Sequence, residues 1–253
     1  MKKKALSLLA FIPAFTTVTA QQPAVPDVCA LVNPIIGTNG MGHTFPGACA
    51  PFGLVQLSPD TDTIPHNVDG VYQKNAYEYC AGYQHRDQTI VGFSHTHLSG
   101  TGHSDLGDIL IMPATGELKL NPGRADTPDE GYRSRFSHET EVARPGYYEV
   151  ELTDYGIKAQ LTATQRVGIH KYTFPDGADG RIILDLVHGI YNYDGKTLWA
   201  NIRVENDTLL TGYRITNGWS FPVDVGNTCI RILAGEENAA YYRRGDSANT
   251  WSY

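Results

Sequence analysis

Apolar and polar positions alternate through the middle of the chain with the period of two that a half-buried β-strand requires. Every second position is apolar in residues 148–152 and again in residues 157–163. The residues between these runs, 153–156, end in a glycine, which favours a tight connection between strands. The pattern therefore predicts an antiparallel hairpin.

Similar short runs recur along the chain with turn residues between them, and long stretches of helix-forming residues are absent. We predict further strands at 53–57, 89–97, 108–112, 167–174, 181–187, 197–205 and 208–215. Many short strands separated by regular turn signals are typical of a β-sandwich. The pattern thus predicts an all-β fold, a large antiparallel β-sandwich that forms one domain over residues 31–219.

The alternation is lost after residue 219, and charged residues cluster in the last part of the sequence. We expect residues 220–253 to be a divergent tail that results from a truncated or frame-shifted gene. The sandwich would then be incomplete at its C-terminus, and its last strands would lack partners. Unpaired strand edges favour aggregation.

The N-terminus has the composition of an export signal. Three lysines at positions 2–4 precede an apolar run at 5–15, and Ala20 follows as a small residue suited to cleavage. We predict a secretory signal peptide over residues 1–20 and a leader over 21–30. The apolar run is too short for a permanent membrane anchor, and no later segment is long enough. We expect a periplasmic or secreted protein.

The charge narrows the class of ligand. The formal net charge is −7, with 20 basic and 27 acidic residues. Loss of the three N-terminal lysines would leave 17 basic residues and a net charge of −10. An acidic chain disfavours nucleic acid as a partner, because binding requires basic patches that neutralise phosphates. It equally disfavours a polybasic membrane site, so a neutral, polar substrate is expected.

The four cysteines leave two states open. They are Cys29, Cys49, Cys80 and Cys229, and their spacing matches no metal-binding motif. Export would permit disulfides, for which three pairings exist. Free buried thiols are the other possibility, since a domain of this size can be stable without cross-links.

Residues 92–102 (GFSHTHLSGTG) concentrate the polar chemistry of the chain. On an extended strand His95 and His97 would point to the same face, and Gly100 would permit close approach of the backbone. Two interpretations remain open. One is a strand end with hydrogen-bonded histidines. The other is a transition-metal site of the kind found in cupin enzymes, although the histidine and aspartate that follow have a different spacing from the cupin pattern.

Five motifs that occur in one order resemble the N-terminal domain of glycoside hydrolase family 92. They are residues 32–37 (VNPIIG), 42–48 (GHTFPGA), 51–61 (PFGLVQLSPDT), 82–83 (GY) and 92–102. Residues 107–113 (GDILIMP) and 212–219 (GYRITNGW) extend the resemblance to about residue 220. It implies an exported bacterial α-mannosidase whose N-terminal β-sandwich, of the galactose-mutarotase-like supersandwich type, precedes an (α/α)₆ barrel.

The resemblance also implies hydrolysis of α-mannosides with inversion and a dependence on calcium. An inverting glycosidase needs an acid and a base far enough apart to admit water, and calcium needs oxygen ligands. In the family these groups lie on the barrel, so neither catalytic residues nor calcium ligands are expected in this chain, and the chain alone should be inactive. We interpret Asp60, Asp105, Asp108 and Asp185 as turn, cap or strand-end residues.

The resemblance assigns the N-terminal domain one wall of the sugar pocket and the contact with the barrel. The substrate-binding candidates are His43, Phe45, Tyr77, Tyr79, Cys80, Ser94, His95, His97 and Gly100. Many relatives have Trp-x-Trp-Cys where this chain has residues 77–80 (YEYC), so the two tyrosines would either stack on a sugar or pack the loop onto the domain. A stand-alone carbohydrate-binding module and a cupin-like metal enzyme remain alternative functions.

Overall fold

A computed structural model describes residues 27–62, 67–190, 192, 195–217, 228–233 and 239–242. The helical segments in this part of the chain are short 3-10 helices at Val28–Leu31, Gly40–Gly42, Lys74–Tyr79 and Pro128–Glu130. None of its helices is long and apolar enough to cross a membrane. The fold therefore depends on its strands.

The described residues form seventeen strands, and all of the strand pairs are antiparallel. In chain order they are β1 (Ala48–Cys49), β2 (Gln56–Asp60), β3 (Asn67–Val68), β4 (Val71–Tyr72), β5 (Thr89–Ile90), β6 (Gly92–Ser94), β7 (Leu110–Thr115), β8 (Ser134–Arg135), β9 (Val142–Arg144), β10 (Tyr147–Leu152), β11 (Ile157–Ala163), β12 (Gly168–Thr173), β13 (Gly180–Asp185), β14 (Thr197–Asn206), β15 (Leu209–Thr216), β16 (Thr228–Leu233) and β17 (Ala239–Tyr242).

Two five-stranded sheets carry the core. The first has the strand order β1-β2-β6-β7-β13, and the second has the order β17-β12-β11-β10-β9. Their apolar faces share one buried cluster, in which Leu57, Phe93 and Ile111 of the first sheet join Val150 and Leu161 of the second. The structure thus confirms the prediction of an all-β, antiparallel sandwich.

The predicted hairpin is present as β10 and β11, in a register that pairs Tyr147 with Thr162 and Leu152 with Ile157. Its connection ends at Gly156, which has a φ of 61°. Glycine adopts this left-handed conformation without the steric cost that other residues incur. The period-two pattern therefore specifies the two strands, and the glycine specifies the turn that connects them.

The strand predicted at 89–97 divides into β5 and β6, and regular pairing ends where Ser94 meets Ser58 of β2. His95 and His97 lie beyond that end. The predicted strand is therefore too long at its C-terminal end, because the backbone is no longer a regular strand at these two positions.

The tail predicted at 220–253 includes two of the strands. β16 pairs with β15, and β17 pairs with β12 at the edge of the second sheet. Residues 218–227, 234–238 and 243–253 lie outside the described residues, as does the predicted signal peptide at 1–20. Part of the sequence that lacks clear alternation thus contributes one strand to the second sheet and one to a separate three-stranded sheet in the order β14-β15-β16.

Candidate functional site

Three of the sequence-predicted loops meet at one rim of the sandwich. The Gly100 amide donates a hydrogen bond of 2.6 Å to the carbonyl oxygen of His43. The His43 ring meets the Tyr77 ring edge-on, with their centroids 4.9 Å apart. The loop at 42–47, the segment at 77–80 and the strand end at 94–100 are therefore neighbours, although up to 57 positions separate His43 from Gly100 in the sequence.

The conformation of the first rim loop follows from its glycines and from one buried amide. His43 has a left-handed backbone with a φ of 53°. A Cβ on Gly42 would lie 2.0 Å from the carbonyl oxygen of Gly37, so a larger residue does not fit there. The Gln84 side chain accepts from the Gly40 amide at 2.7 Å and donates to the Gly40 carbonyl at 3.0 Å. This pair of bonds fixes the loop against the domain.

The second rim segment is held by a buried thiol. The Cys80 Sγ donates to the carbonyl oxygen of Tyr77 at 2.9 Å and lies 3.3 Å from the Ser104 Oγ. Burial raises the pKa of this thiol, which lowers its reactivity. Of the cysteines whose side chains are described, Cys29 and Cys49 are also free. Cys80 is thus a positioning residue for the loop that carries Tyr77.

The rim combines an accessible aromatic ring with an unsatisfied polar atom. Tyr77 is 37% exposed. The Nε2 of His43 is buried and has no hydrogen-bond partner among the described residues. Buried polar groups are nearly always paired, so a hydroxyl that reached this nitrogen would supply a missing bond. Phe45 packs behind the rim, with its ring centroid 5.2 Å from that of His97.

Beneath the rim, one buried carboxylate links three parts of the chain. Asp60, at the end of β2, faces the His97 Nε2 at 2.9 Å and the His188 Nε2 at 2.7 Å. Burial alone would raise the pKa of the Asp60 carboxyl, but the charges and hydrogen bonds of the two histidines outweigh it and hold the pKa well below its usual range. The Nδ1 of His97 also meets an acceptor, the Gln56 carbonyl oxygen, at 2.7 Å. His97 is therefore a structural link between β2 and the loop after β6.

Ser94 and His95 belong to the interior. The Ser94 Oγ lies 3.1 Å from the His97 Nε2. The Nδ1 of His95 meets the Ile109 carbonyl oxygen at 2.7 Å, and its Nε2 lies 2.8 Å from the Nε2 of His170. All four ring nitrogens of His95 and His97 thus contact protein atoms, so neither ring offers a metal an unoccupied nitrogen. This geometry does not favour the cupin-like alternative.

Tyr79 also turns inward. Its hydroxyl donates to both carboxylate oxygens of Asp87, at 3.1 and 3.0 Å, and the Arg86 guanidinium lies 5.9 Å from the centre of its ring. Burial, followed by the charge of Asp87, raises the pKa of the hydroxyl. In this conformation Tyr79 packs the loop onto the domain, whereas Tyr77 remains at the surface.

Sequence reasoning missed the cations beneath the site. Arg214 is buried in β15 and donates to the carbonyl oxygen of His188, while its Nη2 lies 3.9 Å from Asp108. The Nζ of Lys196 lies 3.3 Å from Asp105. Burial lowers the pKa of Lys196, and the charge of Asp105 opposes that effect. A lone Arg within a strand, or a lone Lys just before one, gives no sequence signal of such burial.

Comparisons with known proteins agree with this fold. The sequence signature of the glycosyl hydrolase family 92 N-terminal domain matches residues 31–239. A family GH92 α-mannosidase from Bacteroides thetaiotaomicron, solved in complex with mannoimidazole, is 36% identical, with a TM-score of 0.70 over 86% of this chain and 29% of that chain. A second structure from that organism, a family GH92 inverting mannosidase, is 23% identical, with a TM-score of 0.58 over 86% of this chain and 29% of that chain, and shows likeness of fold alone.

A curated relative from Arthroderma benhamiae is named an uncharacterized secreted glycosidase. It is 29% identical over 195 residues, which are 72% of this chain and 22% of the relative. The chain thus spans less than a third of the length of the relatives that it matches.

Proposed function

Because the chain belongs to glycosyl hydrolase family 92, with the N-terminal domain of that family matching residues 31–239, we propose that it forms one wall of the glycan-binding cleft of an α-mannosidase. The observation that carries the proposal is the convergence of His43, Tyr77 and Gly100 at one rim. An exposed aromatic ring stacks on the apolar face of a sugar, and the His43 Nε2 provides a hydrogen-bonding group for a hydroxyl.

We assign the acid and the base of hydrolysis to the catalytic (α/α)₆ barrel of the full-length enzyme. Each of the four aspartates considered above already has protein partners. Asp60 pairs with two histidines, and Asp105 pairs with Lys196. Asp108 accepts a hydrogen bond from Thr96, and Asp185 accepts one from Tyr132. An inverting mechanism needs two carboxyl groups that face one water-filled cleft. The chain alone is therefore expected to bind glycan without hydrolysing it.

The described residues do not fit calcium. Calcium takes six to eight oxygen ligands. Within the described part of the chain, the one grouping of His, Cys, Asp and Glu with metal-binding spacing is His85, His138 and Glu141. It offers two nitrogens and one carboxylate, which is a poor set for this ion. We therefore place any calcium that serves hydrolysis outside the described residues.

We further propose that the protein is exported to the periplasm or secreted. The basic and apolar composition of residues 1–20 supports export. The curated relative from Arthroderma benhamiae carries the word secreted in its name. An α-mannosidase in that location would act on glycans outside the cytoplasm.

Binding and turnover test this proposal. The purified chain is titrated with methyl α-mannoside and α-mannobiose by saturation-transfer NMR, and hydrolysis of an aryl α-mannoside is measured with and without calcium. We expect binding that Tyr77→Ala abolishes and that Tyr72→Ala, at a more exposed tyrosine of β4, leaves intact. A flat titration, or robust turnover by the chain alone, would contradict the proposal.

A barrel-encoding reading frame beyond the codon for Tyr253 would distinguish a hydrolase domain from a stand-alone binding module.

A further inference from the structure

Two histidines and one glutamate meet at a surface position that the glycan-binding proposal does not use. His85 lies in the loop before β5, and His138 and Glu141 lie in the turn between β8 and β9. Their potential ligand atoms all fall within 4.8 Å of one another. We propose that these three side chains bind a divalent transition-metal ion of the zinc type.

The distances suit such an ion. The Oε2 of Glu141 lies 2.7 Å from the Nδ1 of His138 and 4.0 Å from the Nδ1 of His85. Zinc binds imidazole nitrogen and carboxylate oxygen at roughly 2.0–2.2 Å, which places tetrahedral ligands about 3.3 Å apart. The two observed separations lie on either side of that value, so a small side-chain movement equalises them. Two imidazoles and one carboxylate, with water in the fourth position, are a common zinc set.

The surrounding hydrogen bonds orient the ligands. The Nε2 of His138 lies 3.1 Å from the Asp87 carbonyl oxygen, which can only accept. This nitrogen therefore donates, which leaves Nδ1 as the nitrogen that a metal ion would coordinate, in place of the proton that Nδ1 shares with the Glu141 carboxylate at 2.7 Å. A ligating histidine commonly donates its other N–H to a backbone carbonyl, because that bond fixes the tautomer and orients the ring.

The carboxylate is equally well held. The Tyr83 hydroxyl donates to the two oxygens of Glu141 at 2.8 and 3.0 Å, and the Tyr148 hydroxyl donates at 2.7 Å. The Glu141 side chain is only 2% exposed, whereas those of His85 and His138 are 41% and 32% exposed. A fixed, buried carboxylate beneath two accessible imidazoles leaves an entry path for the ion.

The ion would join two segments that support the rim. His85 follows Gln84, which fixes the rim loop at Gly40, and its own amide donates to the Thr38 carbonyl oxygen at 2.9 Å. Coordination would tie this loop to the turn at 138–141. The proposal concerns binding and stability and assigns the ion no step in hydrolysis.

Zinc titration of the purified chain by calorimetry tests the site, together with cobalt substitution followed by visible absorption. We expect one equivalent of zinc to bind and calcium not to compete. Loss of a residue that only hydrogen-bonds to a metal ligand weakens metal binding about 10- to 100-fold. Loss of a ligand itself, as in His85→Asn, should weaken it at least that much. His103→Asn, outside the cluster, should leave the affinity unchanged.

Near-UV circular dichroism verifies that each variant is folded. The fold should tolerate His85→Asn, because the His85 side chain is 41% exposed. Glu141→Gln and Glu139→Gln form a second pair of variants. Both remove one negative charge, but only Glu141→Gln removes a proposed zinc ligand. Absence of stoichiometric zinc binding to the wild-type chain would overturn the proposal. Equal affinity of the wild type and His85→Asn would also overturn it, because the ion would then bind elsewhere.

Discussion

The Nε2 atoms of His95 and His170 lie 2.8 Å apart and join the segment after β6 to β12 of the second sheet. His95 donates from Nδ1 to the Ile109 carbonyl oxygen, so its Nε2 is the acceptor of this bond. The Nε2 of His170 is then the donor, and its Nδ1 accepts from the Tyr172 hydroxyl at 2.6 Å. One continuous chain of hydrogen bonds, with both rings neutral, thus crosses the core.

The hydrogen-bond chain explains why these histidines resist protonation. Burial lowers the pKa of His95 to about 3, an effect that the Ile109 carbonyl and Asp60 oppose and that His97 reinforces. Burial and the neighbouring His95 ring hold the pKa of His170 well below its usual range. Charging either ring would break the donor–acceptor order of the chain and leave a buried cation.

The first prediction is a loss of stability in mild acid. The unfolded histidines titrate near pH 6.5, whereas the folded ones remain neutral until much lower pH. Between pH 6.5 and about 3 the unfolded state therefore binds more protons, and the free energy of unfolding falls as the pH falls. The slope is about 1.4 kcal/mol per pH unit for each fully buried histidine. Asp60 adds a loss of the same sign only below pH 3.8, because its folded pKa is lowered.

Urea denaturation of the wild type at pH 7, 6 and 5 measures this slope. His170→Gln removes one of the two histidines and should therefore reduce the slope by about 1.4 kcal/mol per pH unit. Stability that stays level or rises between pH 7 and pH 5 would contradict the prediction.

The second prediction concerns the first donor of the chain. Tyr172→Phe removes the hydroxyl that donates to His170 and leaves a buried acceptor without a partner, which should cost about 1–3 kcal/mol. Tyr147→Phe in β10 is the matched control. The Tyr147 hydroxyl is half-buried and meets Gln160 at 2.7 Å, so water can replace its partners. Thermal or urea unfolding should show the larger loss for Tyr172→Phe, and equal losses would count against the hydrogen-bond chain.

The sequence alone was sufficient to predict the positions of strands that bury one face. In β10 and β11 the period of two, combined with Gly156, predicts both strands and their connection, and the observed register confirms the hairpin. Local pattern is informative here because the strands are neighbours in the sequence and because side-chain direction alternates with the pleat.

The family resemblance singled out the rim segments, but it did not identify the partners of their histidines. His97 pairs with Asp60, 37 positions away, and Asp60 also holds His188, 128 positions away. His95 finds His170 only because two sheets pack face to face. Contacts of this kind join residues that are far apart in the sequence. They depend on tertiary packing, which a local sequence pattern does not reveal.

The third prediction uses two glycines with nearly the same backbone. Gly82 has a φ of +77°, and a Cβ there would lie 2.1 Å from the Oδ1 of Asp60; Gly146 has a φ of +74° with no atom within 4 Å of the corresponding Cβ. Alanine at either position incurs the left-handed strain of about 1–2 kcal/mol. Gly82→Ala should lose at least ~2 kcal/mol more, because it displaces a buried carboxylate from its two histidines.

Urea denaturation of both variants isolates this difference, since the backbone term is common to them. Their near-UV spectra at pH 7 show whether each is folded before the comparison is made. Equal losses for Gly82→Ala and Gly146→Ala would mean that Asp60 moves aside freely, contrary to the fixed geometry described above.

The fourth prediction separates the shape of the rim from the stability of the fold. A Cβ on Gly102 would lie 1.8 Å from the hydroxyl oxygen of Tyr77. Because this oxygen is the far end of a partly exposed side chain, Gly102→Ala should move the ring rather than unfold the domain. The melting temperature should change by no more than about 2–4 °C, the equivalent of about 1 kcal/mol for a chain of this size.

The edge-on contact between Tyr77 and His43 provides the measurement. Movement of the tyrosine ring changes the ring-current shift of the His43 protons, which NMR detects without any added glycan. Thr101→Ala, at the exposed neighbouring position, should leave the His43 resonances in place. Unchanged His43 resonances in Gly102→Ala would show that the loop at 100–102 yields instead of the tyrosine, and Gly102 would then have no role in setting the position of the aromatic ring.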